Sequence, residues 1–414
     1  MASLSASVMT IRPPILSGIR VSKAVLVINA GSSSLKFAAF AVSDGDQLAL
    51  RLRGEIDRIG AAGRCLVRNA GGSALTDESV QTTGHQDALS QLLDWLDRHA
   101  AEFDFAAVGH RVVHGGTLFL KPVIVDDVVH ERLQALIPLA PLHQPFNLDG
   151  IAAIRRLKPD LIQVACFDTA FHHTMPAVER AFALPYDLTE QGIRRYGFHG
   201  LSYDHIAGVL PDHLGEKAAA RVIVAHLGHG ASLCAMLGLR SVATTMSFTP
   251  LDGLPMATRS GSIDPAIVLY LMRAKTMDPD SVSDLLHHRS GLLGVSGISG
   301  DMRDLLASND PRAEQAIEMF VHRVNREIGS LAAVLGGVDA LVFTGGIGEK
   351  AGEIRARICR KAAWLGIRLN DAANASDEAR ISDAASPVSV WVLPTNEELV
   401  IARQAYALSS GGAA

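Results

Sequence analysis

The sequence is short of cysteine, of net charge and of long apolar runs, and each shortage excludes something. Four cysteines in 414 residues, Cys65, Cys166, Cys234 and Cys359, lie far apart with no C-x-x-C pair. That rules out a disulfide scaffold and argues against a cysteine metal site, so they read as small buried hydrophobes of a reducing, cytoplasmic compartment. Lys and Arg number 38 against 43 Asp and Glu, a net charge of −5. Such a balance provides no large basic surface for nucleic acid or anionic lipid. No apolar run reaches 18 residues, so no membrane-spanning helix is expected. A G-x-x-x-x-G-K-[ST] P-loop is missing, as is a G-x-G-x-x-G that opens a helix after a strand. Their absence argues against P-loop and dinucleotide-binding folds. Residues 1–23 carry Arg12, Arg20, Lys23 and several serines but no acid. They mildly resemble a transit peptide, yet a disordered extension or an upstream start codon is the favoured reading.

What the chain does have is enough apolar sequence, 48% of residues, for two or three domains with large cores. Residues 24–29 (AVLVIN) read as a buried strand, 35–42 as a second and 48–53 as a third. Leu89, Leu92, Leu93 and Leu96 predict an amphipathic helix over 86–99. Further strands are expected at 106–113, 161–167, 221–226, 232–238, 340–344 and 389–393, and a long core-facing helix through Ile317, Phe320, Val321, Val324, Ile328 and Leu331. Asn396 reads as the N-cap of a final helix, with Glu397 and Glu398 in its first turn. The polar stretches 71–86 and 371–387 read as exposed loops. This mixture predicts an α/β protein. VLVINAGSSSLKFAAF (25–40) and VIVAHLGHGASLCAML (222–237) share one plan of strand, Gly-rich turn and return strand. The likeness suggests two related halves facing each other across a cleft.

The candidate chemistry gathers at Gly-rich turns, whose backbone N–H groups form anion nests. Asn29, Ser32, Ser34 and Lys36 surround the first turn, and His226, Gly228, His229 and Gly230 form the second. Arg111 (GHRVVHGG) and Arg259 (GLPMATRSGSIDP) stand beside such turns, where a guanidinium can pair bidentately with phosphate or carboxylate. Eight histidines, among them His114, His143, His172 and His199, cluster in the motifs. HRVVH falls on strand-like sequence and lacks the HExxH glutamate, so hydrogen bonding to an anion is a better reading than zinc ligation. Asp168, Asp301 and Glu397 sit at element ends, where one or two carboxylates suffice for Mg²⁺ held by waters and phosphate.

In combination and in this order, VLVINAGSSSLKF, GHRVVHGG, LAPLH, CFDTAFH, YGFHGLSY, HLGHGAS, FTPLDGLPMATRSG, SGISGDMRDL, FTGGIGE and PTNEELVIA resemble the acetokinase family, of the acetate-and-sugar-kinase, Hsp70 and actin superfamily, from about residue 24 to 407. The resemblance implies a duplicated βββαβαβα core in two domains, residues 24–168 plus 397–414 and residues 169–396, with an interdomain nucleotide cleft and a homodimer. It implies Mg²⁺, with Mn²⁺ as an alternative, and reversible phosphoryl transfer from ATP to acetate, giving acetyl phosphate and ADP. Arg111, Asp168, His199 and Arg259 match the catalytic positions, and Asn29 and Glu397 the metal positions. Val113, Leu142, Phe198 and Pro250 match the pocket for the acyl methyl. Ser32, Ser34 and Lys36 match the first phosphate loop, and the turn with His226, Gly228, His229 and Gly230 the second. Asp301, Arg303, Gly346 and Ile347 match the adenosine pocket. A propionate or other short-chain acyl kinase, an actin-like ATPase switch and a degenerate nucleotide-binding regulator are the alternatives.

Five positions depart from the family pattern: His229 stands for Asn, Ala243 for Asp, Ser262 for Asp, Gln144 for Asn, and Lys350 for the Asn after GGIGE. They are expected to concentrate around nucleotide binding. An unperturbed His229 would titrate near pH 6.5, so nucleotide affinity is expected to fall from pH 6 to 8.

Overall fold

The computed structural model describes residues 22–43 and 45–412. The proposed extension lies outside them except for Ser22 and Lys23, which already belong to the first strand.

The first sheet begins with β1 (Ser22–Ala30), β2 (Leu35–Val42), β3 (Leu48–Ile56), β4 (Ala62–Asn69) and β5 (Ala74–Gln81). Helix α1 (His85–His99) follows, then β6 (Phe103–Val112), β7 (Val123–Ile124), α2 (Gln144–Leu157) and β8 (Ile162–Phe167). Their order is β5-β4-β3-β2-β1-β6-β8-β7. β1 is antiparallel to β2 and parallel to β6, and β6 is parallel to β8. The leucine stripe of α1 packs on one face against Leu26, Ile28 and Phe37. Each such leucine contributes roughly 1.5–3 kcal/mol by leaving water. The expected loop over 71–86 instead contains β5. It is an edge strand, exposed along most of its length, so no apolar period marks it.

The second half runs through α3 (Gly200–Leu214), β9 (Arg221–Leu227), β10 (Ala231–Leu237), β11 (Arg240–Thr244), α4 (Pro265–Ala274), α5 (Pro311–Leu335), β12 (Ala340–Thr344), α6 (Gly345–Lys350) and β13 (Ser389–Val392). Its sheet order is β11-β10-β9-β12-β13. β9 is antiparallel to β10 and parallel to β12, which is parallel to β13. Position by position this repeats β3-β2-β1-β6-β8, so the similarity of 25–40 to 222–237 is a duplication of topology. The predicted stripe of α5 is buried on this sheet; Asp310 caps the helix and Gly336 ends it in a left-handed conformation. Segment 371–387 carries a short helix, Asp371–Ala375, within otherwise irregular chain.

The chain then returns to the first sheet as α7 (Glu397–Ser409), capped by the Asn396 side chain, which accepts from the Leu399 N–H at 3.0 Å. Val400, Ile401, Ala402 and Ala405 of α7 pack there. Gly109 in β6 allows the close approach, because a Cβ there would lie 2.5 Å from Ile401 Cγ2.

Candidate active site

The strand ends of the two sheets face each other, and a cavity of about 210 Å³ lies between them. Asn29, Arg111 and Asp168 reach it from the first sheet, and His199, Pro250 and Arg259 from the second half. Val113 and Phe198 give it an apolar wall. The halves are tied here by backbone: the Gly200 N–H donates to the Asp168 carbonyl at 2.8 Å. His199 precedes it with φ 57°, a left-handed conformation that a non-glycine residue adopts at a cost of roughly 1–3 kcal/mol.

The two arginines differ sharply. Arg111 donates from Nε and Nη2 to Asp168, at 3.1 and 2.8 Å, and its Nη1 lies 3.0 Å from Glu397 Oε2. Burial works against its charge, but Asp168 and Glu397 outweigh burial and hold it protonated. Burial also pushes the Asp168 carboxyl up, with Arg111 pulling it back. Arg259 makes no ion pair among the described residues. It donates to the Pro250 carbonyl at 3.1 Å and touches Met256 Sδ. Burial, then Arg111, lowers its pKa. A partly buried, uncompensated guanidinium in a small cavity is a seat for an anion.

His199 accepts or donates at Nδ1 with Ser232 Oγ at 2.8 Å, and its ring stacks on His226, centroids 4.2 Å apart. Burial first, then His226 and both arginines, hold His199 well below the usual imidazole range. Burial likewise holds His226 at about 4.

On the far side of the Gly228–Gly230 turn a second cavity of about 630 Å³ is lined by Gly228, His229, Asp301, Arg303, Gly346 and Ile347, six of the expected nucleotide residues, together with Lys350. Gly230, expected with them, lines neither cavity but lies against residues of the first: a Cβ there would sit 3.1 Å from His199 Nε2 and 3.8 Å from Arg259 Nη1. Asp301 caps the helix that follows it and pairs with Arg303 at 2.6 Å, which holds its carboxyl at about 2.

Other expected residues are elsewhere. Ser32 and Lys36 are exposed on the first turn, Ser34 is half-buried, and none of the three lines either cavity; Lys36 Nζ lies 4.0 Å from Glu55. Leu142 is 37% exposed and outside the acyl cavity; its neighbour His143 faces in. Burial, with Arg259 and Arg111, holds His143 at about 4. Asn147 also lines the cavity, bridging the ends of β1 and β6 by donating to the Ala30 carbonyl and accepting from the Val113 N–H. LAPLH and the histidine cluster pointed to His143, but nothing local in sequence marked Asn147. The departures from the family pattern do not all concentrate at the nucleotide. Only His229 and Lys350 line its cavity. Gln144 is fully buried and clamps the His114 backbone. Ala243 lies in the core of β11, and the Ser262 hydroxyl donates to Asp252.

Among the described residues no group of three His, Cys, Asp or Glu side chains could enclose a metal. The donor set at the cleft is Asp168, Glu397 and the Asn29 amide. Two carboxylates suit a hard cation that keeps waters and takes its remaining ligands from substrate phosphates.

A cleft between the two halves that holds an arginine without an ion pair, a histidine, two carboxylates and, beside a Gly-rich turn, a larger cavity has the parts of a phosphotransferase site. The acetokinase family profile matches residues 24–403. An acetate kinase of Rhodopseudomonas palustris (strain TIE-1) is 55% identical over 397 residues, covering 95% of this chain and all of that one. Among solved structures, a propionate kinase from Francisella tularensis superposes with a TM-score of 0.87 at 38% identity, covering 93% of this chain and 99% of that one. The Porphyromonas gingivalis acetate kinase gives 0.84 at 36% identity, covering 94% and 100%. The chain belongs to the acetokinase family. As a member it is a phosphotransferase with a carboxylate acceptor, using ATP and a divalent metal, and its two-domain architecture is the actin-like fold of that family.

Proposed function

We propose that this chain transfers the γ-phosphoryl group of ATP to acetate, reversibly, giving acetyl phosphate and ADP. The observation that carries the reading is Arg259, a partly buried guanidinium without a carboxylate partner, lining a small cavity together with the apolar side chains of Val113, Phe198 and Pro250. That combination fits a small anion with a short apolar tail.

Acetate is ionised at neutral pH and needs no general base. Its obstacle is repulsion from the phosphate, so catalysis is positioning and charge neutralisation. Arg111 donates from Nε and Nη2 to Asp168 and pairs through Nη1 with Glu397, which fix its plane, and its remaining N–H groups orient the acetate carboxylate. Arg259 takes the equatorial oxygens of the transferring group, and His199 donates to the same group from Nε2. Asp168, Glu397 and Asn29 would hold Mg²⁺, an oxygen donor set that also suits Mn²⁺; when bound the ion would neutralise the donor phosphates. The adenosine half of ATP occupies the 630 Å³ cavity. Transfer is direct and in line.

The domain division at residues 168/169 and 396/397 follows the two sheets, with α7 on the first. A homodimer is supported by α4, which buries none of its ten residues and exposes Ile267, Leu269 and Tyr270 by 44–56%. No helix among the described residues is long and apolar enough to cross a membrane. All four cysteines are free and buried, which supports a cytoplasmic location.

The test is ATP- and Mg²⁺-dependent formation of acyl phosphate trapped by hydroxylamine, with acetate, propionate and butyrate compared. Acetate should give the highest kcat/KM; a higher value for propionate would reassign the acyl substrate, and no product from any of the three would overturn the reading.

A further inference from the structure

His199 carries two ring nitrogens, and only one orientation of its proton serves as a donor toward the cavity. Its Nε2 faces the Gly230 turn beside Arg259, since a Cβ on Gly230 would lie 3.1 Å from that nitrogen. Its Nδ1 points the other way, to Ser232 Oγ at 2.8 Å. Ser232 Oγ in turn lies 2.5 Å from the hydroxyl of Tyr203.

The directions of these bonds follow from counting protons. Tyr203 is fully buried, and burial keeps its phenol protonated far above the usual range. A buried O–H needs an acceptor, and Ser232 Oγ is the partner present among the described residues. Tyr203 therefore donates to Ser232. The serine hydroxyl has one proton, and its other partner is His199 Nδ1. Ser232 therefore donates to Nδ1, Nδ1 is an acceptor, and the ring proton sits on Nε2. The reverse arrangement would leave the phenolic proton buried without a partner.

The relay is built into the fold. Tyr203 lies in the first turn of α3, its N–H donating at 3.0 Å to the carbonyl of His199, the residue just before the helix. Ser232 is on β10, on the return strand of the second Gly turn. His226 stacks on His199 and has its own serine partner, Ser202 Oγ at 2.8 Å from Nδ1. A second positive charge face to face with that ring is disfavoured, so His199 acts as a neutral imidazole whose one donor is chosen by its neighbours.

We propose that Tyr203 and Ser232 are positioning residues whose hydrogen-bond relay locks His199 as the Nε2–H tautomer, so that it presents a donor to the oxygens of the transferring phosphoryl group. The proposal rests on the reading of His199 as that donor, and its test separates the two.

Long-range nitrogen–proton NMR of histidine-labelled protein at pH 7.5 identifies the tautomer, with His199→Asn assigning the signal. The wild type should show Nε2–H; a proton on Nδ1 would overturn the relay without any variant being made. In Tyr203→Phe and Ser232→Ala the ring should become a mixture of tautomers. kcat should fall by about tenfold in the first and about 10²-fold in the second, with both KM values within about twofold. Variants that keep both the wild-type tautomer and wild-type kcat overturn the proposal. A tautomer that shifts while kcat stays constant would confirm the relay and remove His199 from the transfer step.

Discussion

The amide of Gly200 donates to the carbonyl oxygen of Asp168 at 2.8 Å, and a Cβ on that glycine would lie only 2.2 Å from the same oxygen. This bond ties the residue after His199 to the backbone of Asp168, whose carboxylate lies in the cleft, so the two halves approach closely here only because residue 200 is glycine. Gly200→Ala should force them apart by a few tenths of an ångström or more. Misplacement on the scale of 1 Å costs on the order of 10²-fold in rate. We expect kcat to fall by about that factor in a protein that remains folded by circular dichroism. A Gly200→Ala enzyme with wild-type kcat would show that this contact does not set the catalytic geometry.

Arg111 and Arg259 should behave differently when removed, although we propose that both act in the transfer step. Either alanine variant should lower kcat by ~10³ or more, within the range for an arginine that stabilises the transition state, and lysine should rescue poorly because it lacks the planar fork. Stability separates them. Arg111→Ala leaves Asp168 and Glu397 facing each other without their common partner, and breaking such a buried pair costs roughly 3–5 kcal/mol. Arg259→Ala removes a partly buried charge that has no ionic partner, so its melting temperature should equal or exceed that of the wild type. Thermal unfolding of both variants checks this, and equal destabilisation of the two would contradict it.

The site was legible where a residue's surroundings are local in sequence. Arg259, His199 and the glycines of HLGHG stand in turns whose backbone requirements are visible in the motif itself. Leu142, expected in the acyl pocket from the family resemblance alone, does not line the cavity, whereas its neighbour His143 does; a 3-10 turn (Ile137–Leu139) and the start of α2 at Gln144 flank the pair, and no local pattern in the sequence says which of the two faces in. Gln144 looked like a nucleotide residue but is a buried clamp on the His114 backbone, 30 residues away. Edge strand β5 was invisible for a related reason: exposed along most of its length, it has no apolar alternation to show. The duplication was legible as a pair of strand–turn–strand segments, while its full extent emerged only in the matching order of the two sheets.

Val113 lines the 210 Å³ cavity that Arg259 also lines. Truncation to alanine should make room for one more methylene. A methylene in a hydrophobic pocket is worth ~1–3 kcal/mol, so the ratio of kcat/KM for propionate over acetate should rise by about tenfold or more. If the ratio is unchanged, Val113 does not bound the acyl group.

Stability should depend on pH through buried histidines. Burial holds His110, His114, His172 and His226 at about 4, whereas an exposed imidazole titrates near 6.5. Between those values the unfolded chain binds more protons than the folded one, so stability rises with pH across the interval and is lost as pH falls through it. Urea midpoints should be nearly flat above pH 7 and decline steadily from about 6.5 toward 4. A midpoint that increases on acidification from 6.5 to 5 would mean these rings are not buried as neutral groups.

His229 lines the 630 Å³ cavity proposed for the nucleotide, where the family pattern has asparagine. Burial and Arg259 lower its pKa in the free protein, with Asp301 acting in the opposite direction, so it is neutral at physiological pH until a ligand binds. A polyphosphate nearby would raise that pKa again. Between the free and bound values, protonation and nucleotide binding favour each other, so affinity should increase as pH falls. The window therefore opens below the 6.5 expected from sequence alone and extends upward only as far as the bound nucleotide shifts the ring. The γ-phosphate titrates near pH 6 on its own account. The quantity to follow is thus the difference in log Kd for MgATP between wild type and His229→Asn, in which that contribution cancels. The difference should favour the wild type progressively from pH 7.5 down to 5.5. Parallel curves across that range would place His229 away from the phosphates and leave it only the task of shaping the turn.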